Sequence, residues 1–180
     1  SGRVILMAVP AEEYLELEFR RQLARENKIR YLGGKQELIR LGHFDDVDLA
    51  MMIHTGSGRK ASLRTSMNGF TSHYARFMGR ASHAGEFPHL GINALNAASL
   101  ALQAVHSQRE TFPDGQHVRV HSIIRKGGES VNTVPADVQV ETMVRAKTIE
   151  AVLDASRKTR RCYRAGALAV GGRVDVEAMP

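Results

Sequence analysis

The chain has one cysteine, Cys162, and no tryptophan among its 180 residues. A lone cysteine excludes an internal disulfide, so a packed core has to hold the fold, and it fits a reducing, cytoplasmic compartment. The amphipathic stretch around Cys162 reads it as a buried thiol rather than a nucleophile. Long apolar runs are also missing. None approaches the roughly 20 residues that a membrane-crossing helix needs, so no membrane partner is expected. No signal-peptide pattern is visible, because Ser1-Gly2-Arg3 runs straight into an apolar stretch. Aromatic residues make up 6% of the chain, yet 43% of it is hydrophobic, enough to build a core and too much for a disordered segment.

The formal charge is +6, which raises the question of nucleic acid. Much of the excess sits in Arg157-Lys158-Thr159-Arg160-Arg161 and Arg164, where an amphipathic pattern makes it a solvated helix face. Domains of related strand order that bind RNA stack bases on aromatics of their central strands. Val118–Ile124 and Val138–Ala146 contain no aromatic residue, so no nucleic-acid partner is expected.

Residues 3–9 are short, apolar and β-branched at Val4, Ile5 and Val9, the pattern of a fully buried strand. Residues 14–30 mix apolar positions with many charges and read as a helical or irregular excursion. Gly33-Gly34 breaks the chain, and Lys35 to Leu41 predicts a short helix stopped by Gly42. Val47 to Ile53 is the second apolar run, so the order predicts a parallel βαβ crossover. The composition changes after His54, and a domain boundary is expected between about residues 58 and 72, dividing a first part, 1–60, from a second, 61–180. In the second part Ser72–Gly79, Val118–Ile124, Val138–Ala146 and Arg173–Glu177 read as strands. Asn93–Ser107 predicts a helix with Leu95, Ala98, Leu102 and Val105 on one face. A second helix opens on the N-cap Thr148 and runs to about Leu168. The order β-α-β-β-α-β is that of a ferredoxin-like α+β sandwich. Two parallel strands with one crossover do not make a domain alone, so the first part reads as a partial α/β piece and the whole as a central segment of a longer protein.

Chemistry-bearing residues gather at strand ends. Glu12-Glu13 follows the first apolar run and Pro10-Ala11, where open α/β sheets place ligands. One glutamate could bind a metal while the other takes a proton from water; two solvated acids in a loop fit the pattern equally. His54 ends the second run and could share a metal with the pair, or could simply pack. His83 lies among small residues in Gly79-Arg80-Ala81-Ser82-His83-Ala84-Gly85, where a ligand could approach, or where an ordinary turn would expose a histidine. Asn132, in Val131-Asn132-Thr133-Val134-Pro135, could offer an amide donor or fix the turn. Arg145, at a later strand end, could clamp a carboxylate or lie on the surface. His43, His73, His89, His106, His117 and His121 show no metal-ligand spacing and are read as structural or exposed.

These pieces in this order resemble the M20 metallopeptidase and amidohydrolase family, most closely its aminobenzoyl-glutamate hydrolase-like and N-acyl-amino-acid amidohydrolase branch. The stretches that carry the resemblance are Val9 to Glu13, Gly33 to Lys35 running to Phe44-Asp45-Asp46-Val47-Asp48, and Met52-Ile53-His54. Gly79 to Gly85 followed by Gly91 to Leu95, and Gly127-Gly128-Glu129 to Asn132-Thr133-Val134-Pro135, complete the set. The resemblance implies a catalytic α/β domain holding two divalent metal ions, usually zinc, with an inserted βαββαβ lid that forms a homodimer. Mixed carboxylate and histidine ligands also suit manganese or cobalt. It implies Glu12 as general base, Glu13 and His54 as metal ligands, and His83 as a donor to the oxyanion in the partner subunit's site. It implies Asn132 and Arg145 as holders of the substrate carboxylate. The substrate class implied is an N-acyl or N-aroyl amino acid or a small peptide, hydrolysed at its amide bond.

The sequence departs from that pattern in two places. Tyr14 to Leu32 is longer than the Gly-rich link of many members, which bears on the pocket mouth and on the substrate. The upstream histidine, the bridging carboxylate and the last histidine ligand of the family are not among the 180 residues. The expectation is that these residues alone are inactive and that activity belongs to the parent protein. A non-catalytic association module is the alternative.

Overall fold

The computed structural model describes residues 2–11, 16–54, 61, 63 and 66–179. The chain divides into two compact units, the first reaching Leu63 and the second running from Arg64 to Met179.

In the first unit, among the described residues, there are two helices and no strand: α1 (Leu17–Arg25) and α2 (Gly34–Arg40). Glu18 in the first turn of α1 and Arg25 in its last match the helix dipole. The Arg20 guanidinium is buried and donates to the Leu32 carbonyl at 3.2 Å, tying α1 to the chain after it. Helix α2 stops at Gly42, whose φ of 80° is left-handed. The N–H groups of Gly42 and His43 then donate to the carbonyls of Ile39 and Leu38, a complete Schellman closure.

The two strands expected at 3–9 and 47–53 are not formed, and with them goes the parallel crossover within this unit. Val4 and Leu6 are each 97% exposed and Ile53 is 98% exposed. A strand with two buried faces exists only with ladder partners beside it and cover above and below. Among the described residues neither run has a ladder partner, so apolar composition alone does not make it a strand.

The second unit follows the expected element order: β1 (Gly69–Met78), α3 (Ala94–Ser107), β2 (Arg119–Lys126), β3 (Asp137–Ala146), α4 (Ile149–Ala169) and β4 (Arg173–Met179). The sheet order is β2-β3-β1-β4 with every neighbouring pair antiparallel, an α+β sandwich of two interleaved split βαβ units. Alternation decides the faces. Val138, Val140, Thr142, Val144 and Ala146 of β3 are buried, as are His73, Ala75 and Phe77 of β1, and these form the side on which α3 and α4 pack. The opposite face is polar: Arg76 Nε donates to Asp137 at 2.6 Å, and Lys126 Nζ to the same carboxylate at 3.1 Å.

Local signals set the helix starts. The Asn93 carboxamide oxygen accepts from the N–H groups of Leu95 and Asn96, and Thr148 Oγ1 accepts from Ala151 N. The buried stripe of α3 is Ala94, Ala97, Ala98, Ala101 and Val105, with Leu95 and Leu102 half-buried at its margin. This differs from the leucine-centred face read from periodicity, because α4 brings Gly166 against it. A Cβ on Gly166 would lie 2.5 Å from the Ala97 carbonyl oxygen and 2.7 Å from Ala101 Cβ. Small residues on both helices permit that approach.

Under α4 lies a buried polar set. His73 is 0% exposed, its Nε2 is 2.8 Å from Ser156 Oγ, and its Nδ1 has no partner among the described residues. Burial first, and the nearby Arg160 charge second, push its pKa down to about 4. Thr142 Oγ1 bonds Tyr163 and donates to Ser122 Oγ at 2.8 Å. Cys162 is buried and burial raises its thiol pKa, which suits a structural role.

Candidate functional site

The site is built where β1 leaves the sheet and meets the β2–β3 connection. Gly79 starts this exit because the chain crosses itself closely there: a Cβ would lie 2.0 Å from the Ile92 carbonyl oxygen. Arg80 and Ile92 then form an isolated antiparallel bridge, with N···O distances of 3.0 and 2.9 Å. Beyond it the chain folds into a turn at His83, whose carbonyl accepts from Phe87 N at 3.0 Å, and Ser82 Oγ bonds the Phe87 carbonyl.

A second bridge, His83 to Thr133, latches this turn to the β2–β3 connection. Ala84 N donates to the Asn132 carbonyl at 3.0 Å, and Val134 N to the Ser82 carbonyl at 2.9 Å. Ser130 shapes the other side: its carbonyl accepts from Thr133 N and its Oγ accepts from Asn132 N at 3.3 Å. The side chains of His83 and Asn132 therefore meet at the surface, with Asn132 Nδ2 3.1 Å from His83 Nε2. The other ring nitrogen, Nδ1, accepts from the Glu86 main-chain N–H at 2.9 Å. Both residues are exposed, so the pair presents its polar atoms outward from a fixed loop platform.

Arg145 does not join them within one chain. It lies eight residues along β3 from Asp137, the residue paired with Met78 at the His83 end of the sheet. At about 3.3 Å per residue that separation is roughly 26 Å. Its guanidinium sits 5.6 Å from the Phe70 ring centroid, and its Nε is 3.0 Å from Met143 Sδ. His54 lies in exposed, irregular chain of the first unit. Glu12 and Glu13 fall outside the described residues. Among the described residues no three His, Cys, Asp or Glu side chains come together as metal ligands, so these residues do not by themselves make the two-metal site. Also among the described residues, no helix is long and apolar enough to cross a membrane.

The motifs mark His83 and Asn132 separately but not the frame around them. The Ser130-Val131-Asn132 spacing carries a readable signal, a serine whose hydroxyl can close a turn two residues on. The Glu86 N–H carries none, since every non-proline residue has one.

Residues 65–167 match the peptidase dimerisation domain of the M20 family. The chain belongs to this family. It is 34% identical over 146 residues to the Xaa-Arg dipeptidase of Mus musculus, an alignment covering 81% of this chain and 33% of that protein. It is 33% identical over 149 residues to one of the subunits of p-aminobenzoyl-glutamate hydrolase from Escherichia coli strain K12, covering 77% of this chain and 29% of that one. Among solved structures, the aminobenzoyl-glutamate utilization protein of Klebsiella pneumoniae superposes with a TM-score of 0.63 at 23% identity, over 82% of this chain and 38% of that chain. That likeness shows a shared fold. The chain spans about a third of the length of the curated relatives it matches.

Proposed function

We propose that the protein to which these residues belong is a metal-dependent amidohydrolase that cleaves the amide bond of an N-acyl or N-aroyl amino acid or a small peptide. The observation that carries this reading furthest is the meeting of His83 and Asn132, 49 residues apart in sequence, as an exposed polar pair on a rigid loop platform in a domain of this family. The names of two relatives, an Xaa-Arg dipeptidase and a p-aminobenzoyl-glutamate hydrolase, support the substrate class. Both describe an acyl group joined to an amino acid.

In this reading Glu12 accepts a proton from the attacking water and passes it to the leaving amine. His83 donates to the carbonyl oxygen as negative charge builds there, in the active site of the partner subunit, where a preorganised donor lowers the barrier most. Asn132 and Arg145 hold the substrate's carboxylate. Arg145 stands roughly 26 Å along β3 from Asp137, the end of the sheet at which the Asn132 loop lies, which supports contributions of the two residues to different sites of a homodimer. Glu13 and His54 belong to the set that holds two divalent metal ions, with zinc the first candidate and manganese or cobalt the others. Such ions polarise the carbonyl and acidify water. The 180 residues alone are proposed to be inactive. Glu12→Gln in the full-length protein is expected to abolish turnover of N-acyl amino acids while sparing metal content measured by mass spectrometry. Retained turnover rejects the mechanism.

A second reading, a module that only associates, is favoured by one observation: the family match falls on the dimerisation domain. Turnover by the full-length protein separates the two.

A further inference from the structure

We infer that the main-chain N–H of Glu86 holds His83 as the Nε2–H tautomer, and that Asn132 faces that proton with its side-chain oxygen. A peptide N–H has no lone pair and can only donate, so the ring nitrogen it meets has to be bare. The Glu86 N to His83 Nδ1 distance is 2.9 Å. A neutral imidazole with a bare Nδ1 carries its proton on Nε2. The Asn132 atom 3.1 Å from Nε2 is the amide nitrogen Nδ2, also purely a donor, and two donors do not bond. Oxygen and nitrogen of a carboxamide exchange places by a half turn about the last side-chain bond. That half turn puts Oδ1 against Nε2–H and pairs one donor with one acceptor.

The frame is what makes the assignment stick. Phe87 N holds the His83 carbonyl, Ala84 N holds the Asn132 carbonyl and Val134 N holds the Ser82 carbonyl. Neither side chain therefore has to find the other by moving main chain. Glu86, through its main chain, is a positioning residue. The functional meaning rests on the reading of His83 as an oxyanion donor: a histidine in this tautomer offers a hydrogen at Nε2 and cannot serve there as a base. Asn132 Oδ1 is then the resting acceptor that a substrate oxygen replaces.

The test is nitrogen-15 NMR of the imidazoles in the 180-residue chain at mildly alkaline pH. The chain has eight histidines, and the His83 signals are those lost in His83→Ala. The expected spectrum has a pyridine-like Nδ1 and a pyrrole-like Nε2. The reverse pattern, or two averaged nitrogens, overturns the inference. Glu86→Ala keeps the N–H and is expected to keep the pattern. Glu86→Pro removes the N–H and is expected to lose it, while an unchanged tautomer in a folded Glu86→Pro chain overturns the role of that amide. If the proline variant does not fold, the wild-type spectrum still decides. Undiminished turnover of full-length His83→Ala removes the oxyanion reading and leaves the tautomer standing. An Nδ1–H spectrum overturns the tautomer whatever the turnover of that variant.

Discussion

Lowering the pH from 7 towards 4 sets His73 against its surroundings. In the unfolded chain its imidazole takes up a proton as pH falls through about 6.5. In the folded sheet it stays neutral until about pH 4, because a cation there is 0% exposed and close to Arg160. Its neighbours on the paired strands, Ala178 of β4 and Thr142 of β3, bring no carboxylate against it, and the contact from α4 is the neutral Ser156. Between these two pH values the unfolded state binds more protons than the folded one, so stability falls as pH falls. With each pKa unit worth about 1.4 kcal/mol, the loss reaches about 2.5 kcal/mol by pH 4.5 and about 3 kcal/mol below pH 4.

Other groups enter later. The lowered carboxylates, such as Glu37, held at about 2 first by the Arg40 guanidinium, keep their stabilisation above their ordinary values and lose it only below about pH 4.5. The window from pH 6.5 to 4.5 therefore isolates His73 among the described groups with displaced pKa values. The assay is urea unfolding followed by far-ultraviolet circular dichroism at a series of pH values, on the wild type and on His73→Gln. Gln keeps a neutral polar partner for Ser156 and has no proton to gain. It is expected to lower stability at pH 7 and to flatten the profile down to pH 4.5. Parallel profiles for the two proteins, within about 0.5 kcal/mol, would refute the account.

Two further outcomes are expected. Gly166→Ala should destabilise by about 1–3 kcal/mol despite the better helix propensity of alanine, because its Cβ collides with the main chain of α3; a thermal midpoint equal to or above that of wild type would contradict the packing argument. β2 is an edge strand with Ile123 and Ile124 about half exposed, a surface suited to pairing with a second copy. Sedimentation equilibrium should approach twice the monomer mass as concentration rises, and a concentration-independent monomer would count against dimerisation through this domain.

The second unit was legible because its signals are local. A period of two along β3 separates buried Val138, Val140 and Val144 from Gln139, Glu141 and Met143 between them. Asn93 and Thr148 name the first residues of α3 and α4 through one side-chain oxygen each, and Gly42 ends α2 through its own φ. The first unit was not legible in the same way. Val4–Val9 is apolar and β-branched at Val4, Ile5 and Val9, and Val47–Ile53 is apolar apart from Asp48, but what makes a strand is a neighbour's hydrogen bonds, which no short run contains.

For the candidate site the division is the same. Motifs in their order by themselves carried the resemblance to the family and marked the residues worth watching, while caps, periodicity and turn chemistry, which act over a few positions, determined the β-α-β-β-α-β arrangement. Only the tertiary structure decided that His83 and Asn132 meet while Arg145 stands at the far end of the sheet. Those separations depend on which strands pair and in what register, and a register is a property of two segments together, written in neither alone.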